Sequence, residues 1–206
     1  WCDASVRGGR ERGEVWHEEG KILSKKNTFL DMIEVAKYLI EKKYTYKGGI
    51  CFLGGSAGGL TGTAVANMAP ELFFSMLLLV PFCDPLTTML NEKLPLTPSE
   101  WKLWGNPIKS KKYFESILSY SPYNNLRRTS YPPMLVTTSL FDSRVLYSEP
   151  IKYVAKLREL KSDKNLQLLK CKMKAASHGG PSGRDNSIKE LAEEFSFILK
   201  TAGIKN

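Results

Sequence analysis

Ile50-Cys51-Phe52-Leu53-Gly54-Gly55-Ser56-Ala57-Gly58-Gly59 is the stretch that decides the fold. Its first four residues form a continuous apolar run, short enough for a strand covered on both faces. The next five form a G-x-S-x-G pattern, and the chain beyond, through Ala64, Val65 and Met68 to Pro70, reads as a helix. A serine at a sharp strand-to-helix turn is held strained with its oxygen exposed, and glycines are required beside it because side chains there would collide. With 16 glycines and 18 serines in 206 residues, the bare pattern arises by chance roughly 0.1 times per chain. The strand before it and the helix after it add specificity, and no G-x-G-x-x-G register offers a dinucleotide loop instead.

Outward from this stretch the alternation continues. Upstream, Thr28-x-x-Asp31 reads as a capping box opening an amphipathic helix of about 15 residues with Phe29, Met32, Ile33, Ala36, Tyr38, Leu39 and Ile40. Downstream, Met76 to Val80 reads as a strand, as do Met134 to Thr138 and Leu166 to Leu169, with helices expected near Ser148 to Leu160 and Ser187 to Leu199. Between Pro81 and Tyr131 the chain is richer in Pro, Ser, Asn and charge, an excursion of short helices and loops over a binding face. Helices between strands imply an α/β fold with a mostly parallel sheet and helices on both faces, in one domain over residues 1–206.

Composition sets further bounds. A hydrophobic share of 42% and a charged share of 25% are ordinary for a globular domain. Met76 to Cys83, the longest near-apolar run, is far short of the ~20 residues a bilayer needs, so no membrane span is expected. The net charge of +9 raises the question of nucleic acid, but the lysine pairs at 25–26, 42–43 and 111–112 are scattered among acids and read as a solvated surface. Four cysteines without a C-x-x-C spacing suggest neither a disulfide scaffold nor a zinc site, and fit free thiols in a reducing, cytoplasmic setting. Trp1-Cys2-Asp3-Ala4-Ser5-Val6-Arg7 offers neither an initiator Met nor an apolar leader and reads as the middle of a longer chain.

A serine hydroxyl needs a base, and the chain has two histidines. In α/β hydrolases the order is serine, acid, histidine, which sets aside His17 and selects His178 on the glycine-bounded loop Ala176-Ser177-His178-Gly179-Gly180. The acid should sit just past a strand between those of Ser56 and His178. Asp84, Asp142 and Asp163 are available; Asp163 lies in a Lys/Ser-rich turn, and Asp142, following the strand through Thr138, fits best.

At this point GGSAGG at 54–59, VPF at 80–82, WGNP at 104–107, SYSPY at 119–123, DSRV at 142–145, EP at 149–150, VAKLRE at 154–159 and SHGG with SGR at 177–184 resemble the prolyl oligopeptidase family of serine peptidases, and within it the oligopeptidase B group. The resemblance runs from Val6 almost to the C-terminus. It implies an α/β-hydrolase peptidase domain whose earlier strands and β-propeller precede Trp1, with Val6 to Gly9 on a strand of the hydrolase sheet. It implies a serine-type oligopeptidase acting on short peptides, with Ser56, Asp142 and His178 catalytic, the Ala57 backbone N–H as an oxyanion donor, and no metal, cofactor, nucleic acid or membrane partner. Glu100 falls on a pocket acid that receives a Lys or Arg side chain, Lys102 stands where the family often has a second acid, and Arg144 matches an arginine that binds substrate backbone. An esterase or acyl-peptide hydrolase on the same sheet, or a catalytically silent binding protein, are the rival readings.

Overall fold

A computed structural model describes residues 1–174, 178 and 183–204 of the chain. The N-terminal segment reaches α1 (Glu14–Glu18) and then α2 (Lys26–Glu41), which buries Thr28, Phe29, Ile33 and Ala36 along one stripe. Thr28 and Asp31 do not cap α2. The helix starts earlier, at Lys26, and both side chains reach instead to Arg7: Asp31 accepts from the Arg7 backbone N–H at 2.9 Å and from its guanidinium at 2.6 Å, while the Thr28 hydroxyl donates to the Arg7 carbonyl at 2.6 Å. This capture also explains why Val6 to Gly9 forms only an isolated bridge between Arg7 and Gly9, not the expected sheet strand: the polar groups a ladder would use at Arg7 are bound to α2.

The chain then runs β1 (Ile50–Gly55), α3 (Ala57–Met68), β2 (Phe73–Leu79), α4 (Pro85–Met89), α5 (Thr97–Trp104), α6 (Lys111–Leu118), β3 (Met134–Ser139), α7 (Ser148–Leu160), β4 (Gln167–Lys172) and α8 (Arg184–Thr201). The strands pair in the order β1-β2-β3-β4, all parallel. The three helices α4 to α6 fill the excursion expected between residues 81 and 131.

Strand periodicity sorts the core into two layers. Met76 and Leu78 of β2, with Met134 and Val136 of β3, face Leu60, Ala64 and Val65 of α3 and Val154 and Leu157 of α7 in the main core. The intervening Leu77 and Leu135 face the opposite way, where Phe197 of α8 covers them in a much smaller core. Parallel crossovers of one hand put α3 and α7 on the same side of a sheet of this order, and α8 covers the other.

The contact between α3 and the sheet is close because Gly62 faces it. A Cβ at Gly62 would lie 2.4 Å from Phe52 Cε1 and 2.6 Å from Leu78 Cδ2, both inside the main core. On its other side β1 has no partner strand among the described residues, and a largely apolar groove of about 900 Å³ runs along it, lined by Met32, Leu39, Phe52, Phe73, Phe195 and Ile198. Overpacking a filled interface typically costs ~1–3 kcal/mol. Gly62→Ala is therefore expected to lower the free energy of unfolding by about that amount in urea titrations, whereas Gly58→Ala, whose Cβ meets nothing within 4 Å, should cost much less.

Candidate active site

Each of the three residues singled out for catalysis follows a different strand at the C-terminal edge of the sheet, where open α/β sheets place their sites. Ser56 sits between β1 and α3 at φ 53° and ψ −117°, a left-handed backbone that a residue with a Cβ enters only under constraint. Three hydrogen bonds supply the constraint. The Ser56 N–H donates to the Leu79 carbonyl at 2.9 Å, and its carbonyl accepts from Leu60 N–H at 3.0 Å and Phe82 N–H at 3.1 Å.

The glycine requirement is real but distributed differently from the sequence expectation. A Cβ at Gly54 would lie 2.7 Å from the Gly58 carbonyl oxygen, and one at Gly59 would lie 2.6 Å from Pro81 Cα. Gly58 itself has open space, so close approach governs Gly54 and Gly59, not every glycine of the motif.

Asp142 follows β3, and its side chain is fully buried. Its Oδ1 accepts from the backbone N–H groups of Arg144 at 2.8 Å and Val145 at 3.0 Å, which fixes the carboxylate plane; its Oδ2 meets His178 Nδ1 at 2.8 Å. That contact leaves Nε2 as the ring nitrogen free for proton exchange. Ser56 and His178 line one cavity of about 280 Å³, together with Val80, Thr138 and Lys172. His17, set aside on chain order, is buried with Nδ1 2.8 Å from the Gly8 carbonyl, and holds the N-terminal segment.

On the other side of Ser56 lies a second cavity of about 100 Å³, lined among others by Ala57, Phe82, Thr88, Glu100, Trp104 and Arg144. Ala57 opens α3, so its N–H is one of the donors that a helix does not use internally. Glu100 stands in the first turn of α5, and its Oε2 accepts from Trp104 Nε1 at 2.9 Å, one helical turn on. The i,i+4 spacing of an acid and a tryptophan on a helix was legible in the sequence and would have found this contact. Lys102, which stands where the family often has a second acid, is exposed and does not line the cavity.

Sequence reasoning missed Lys25. Half-buried just before α2, its ammonium lies 5.1 Å above the Trp104 ring and 6.0 Å from the Phe29 ring, and no carboxylate pairs with it among the described residues. Trp104 thus has a cation on its face, a carboxylate on its N–H and Phe82 packed at 5.3 Å.

The geometry agrees with what the sequence is related to. The whole of residues 1–205 matches the prolyl oligopeptidase family of peptidases. The chain belongs to that family. It is 50% identical over 202 residues to Protease 2 of Moraxella lacunata, covering 98% of this chain and 29% of that protein, and 48% identical over 201 residues to dipeptidyl aminopeptidase BI of Pseudoxanthomonas mexicana, covering 98% and 28%. Among solved structures it superposes on oligopeptidase B from Leishmania major with a TM-score of 0.92 at 45% identity, covering 95% of this chain and 27% of that one. Oligopeptidase B from Trypanosoma brucei with covalently bound antipain gives 0.93 at 44%, covering 98% and 28%. The chain therefore spans less than a third of the length of the relatives it matches, and the α/β-hydrolase fold is shared with them.

Desolvation pulls the Lys25 ammonium down to about 8 from 10.5. A lysine whose folded-state value is depressed lowers stability while it must carry its charge, and that cost fades as pH rises from 8 toward 10.5. Lys25→Met is expected to stabilise the fold by about 1–2 kcal/mol at pH 7, after allowing for the lost ring contact. Urea unfolding of both proteins at pH 7 and pH 10 checks it: the difference should shrink at the higher pH.

Proposed function

We propose that this region is the acyl-transfer centre of a serine-type oligopeptidase that cleaves short peptides after Lys or Arg. The observation that carries the reading is the strained Ser56 backbone beside a His178 whose Nδ1 is held by buried Asp142. His178 Nε2 takes the hydroxyl proton as Ser56 Oγ bonds to the scissile carbonyl carbon, with Asp142 stabilising the imidazolium. The Ala57 N–H donates to the oxyanion, and the pocket expels the amine as the carbon–nitrogen bond breaks and Nε2 returns its proton. Water then repeats the sequence on the acyl-enzyme and frees Ser56. The covalent antipain complex of the Trypanosoma brucei relative supports a covalent route.

Substrate selection follows from the small cavity. Glu100 faces it with Trp104 holding one carboxylate oxygen, which suits a guanidinium or ammonium, and Arg144 on the same wall suits a substrate carbonyl. The longer relatives support a preceding β-propeller region in the complete protein, and the free thiols of Cys2, Cys51, Cys83 and Cys171 support a cytoplasmic location. The name of the dipeptidyl aminopeptidase relative favours a second reading, release of dipeptides from a free N-terminus. Paired substrates with blocked and free N-termini separate the two.

In the full-length protein a fluorophosphonate probe should label Ser56 and fail on Ser56→Ala. Ser56→Ala and His178→Ala should each cost ~10⁴- to 10⁶-fold in kcat, with the double variant little worse. The rate should also fall on the acid side, where a protonated imidazole cannot accept the serine proton. Labelling without peptide hydrolysis would favour an esterase, and additive losses would remove the shared mechanism.

A further inference from the structure

Behind the wall that carries Thr88 lies a buried ionisable cluster that the proposed chemistry does not use. Glu149, near the start of α7, is 3% exposed. Its Oε2 accepts from the Asp84 backbone N–H at 2.9 Å, and its Oε1 accepts from the Thr88 hydroxyl at 2.5 Å. Asp84, with a fully buried side chain, is paired by Oδ2 with Lys152 Nζ at 2.5 Å. Lys152 also lies 4.8 Å from the Tyr123 ring.

The charges do not cancel. Asp84 and Lys152 form a close pair whose field falls off as a dipole, and among the described residues Glu149 forms no ion pair, with Lys152 acting on it only at longer range. Its negative charge is left over, one hydroxyl away from a residue that lines the Ser56 cavity. Thr88 further ties this charge to the pocket frame: its carbonyl accepts from Thr97 Oγ1 at 3.0 Å, and the Met89 carbonyl accepts from Trp101 Nε1 at 3.1 Å, which locks α4 to the helix bearing Glu100. Lys102 supplies no second acid on α5, and the cavity wall carries Arg144 as a cation.

We propose that Glu149 is a specificity-determining positioning residue that, through Thr88, supplies the second negative charge sensed in the Ser56 cavity and with Glu100 selects a cationic substrate side chain. The inference rests on the oligopeptidase reading. It gives the pocket a second acid from behind its wall, from α7 instead of α5, seven residues after Asp142 on the same chain segment.

The same surroundings make the charge adjustable near neutral pH. Burial pushes the Glu149 carboxyl up to about 7, opposed by the bonds from Thr88 and the Asp84 N–H and reinforced by the Asp84 charge. The ionisable groups around it are Asp84 and Cys83 on the segment before α4, and Lys152 on α7 itself; Lys152 is also held by Tyr123. Burial holds the Cys83 thiol neutral well above its ordinary range, and the Asp84 pairing raises Lys152 against the pull of burial, so of Cys83, Lys152 and Glu149 it is Glu149 whose charge changes between pH 6 and 8.5.

The test compares kcat/KM in the full-length protein for two peptides that differ only in Arg or norleucine before the scissile bond, from pH 6 to 8.5. Effects on the acyl-transfer step that the two substrates share drop out of the ratio. The Arg-to-norleucine ratio should rise about 3- to 10-fold across this range as Glu149 ionises. Glu149→Gln, nearly isosteric and still able to accept from the Asp84 N–H, should flatten the rise and hold the ratio at its low-pH value. Glu100→Ala should lower the ratio yet keep the rise. Thr88→Val removes a bond that favours the carboxylate, so it should move the midpoint of the rise to higher pH, and it serves if Glu149→Gln does not fold. A rise that survives in Glu149→Gln, a midpoint that stays put in Thr88→Val, or a flat ratio in the parent that nonetheless prefers Arg would overturn the inference alone. No preference for Arg at any pH would overturn the substrate reading with it.

Discussion

The left-handed backbone at Ser56 is the constraint to which the rest of this structure answers. A residue with a side chain resists φ 53°, and it stays there because the neighbouring strand and two later N–H groups over-determine it. The Leu79 carbonyl that holds Ser56 N–H comes from the end of β2, so the strain is carried by the sheet itself. Gly59 against Pro81 serves the same end, since α3 must start close to the segment leaving β2 for Phe82 to reach back to the Ser56 carbonyl. Val80, between these anchors, is itself at φ 42°, so two adjacent chain crossings share the distortion.

A parallel sheet makes this economical. Every strand delivers its chain to the same edge, so the turn after β1, the loop after β3 and the segment after β4 converge without any long connection. The helical excursion between β2 and β3 then has one open place to lie, over that edge, and its α4 and α5 wall the cavity beside Ser56. The site therefore divides by element: strand ends bring Ser56, Asp142 and His178 together, and the excursion walls the cavity beside them.

Most of the fold was legible because each sheet residue sits in a periodic apolar context. The strand runs near 50, 76, 134 and 166 and the helix at Ser148–Leu160 emerge where pattern places them. Ser56, Asp142 and His178 were legible for a different reason, since chain order and strand position leave few choices. What the sequence hid were polar residues whose partners are distant in sequence. Thr28 and Asp31 have the spacing of a local cap, yet a guanidinium 24 positions before Asp31 outcompetes the helix terminus for it. Lys25 reads as part of a solvated lysine pair, Asp84 as a rival triad acid and Glu149 only as part of a motif, and the packing around α2, α4 and α7 takes all three out of full exposure. Asp163, set aside because it lies in a Lys/Ser-rich turn, accepts from the Tyr131 N–H at 2.7 Å and ties that turn to the approach to β3.

The two-layer core has an unequal partition. One layer is deep, with α2, α3 and α7 locked over the sheet; the other rests on Phe197, flanked by Ile198, against Leu77 and Leu135. α8 is otherwise held by peripheral contacts, Lys172 with Glu190, Lys170 with Glu193, and Thr201 Oγ1 with Ser75 Oγ at 2.9 Å. Lys170 with Glu193 is an exposed pair of the kind that contributes little, whereas Lys172 with Glu190 is largely enclosed. The helix therefore rests on a smaller apolar contact than the elements of the deep layer. His178 lies between β4 and α8 in the chain, and Glu190 and Glu194 of α8 line the same cavity as Ser56 and His178, so the seat of α8 on the thin layer also sets the width of the space beside the imidazole.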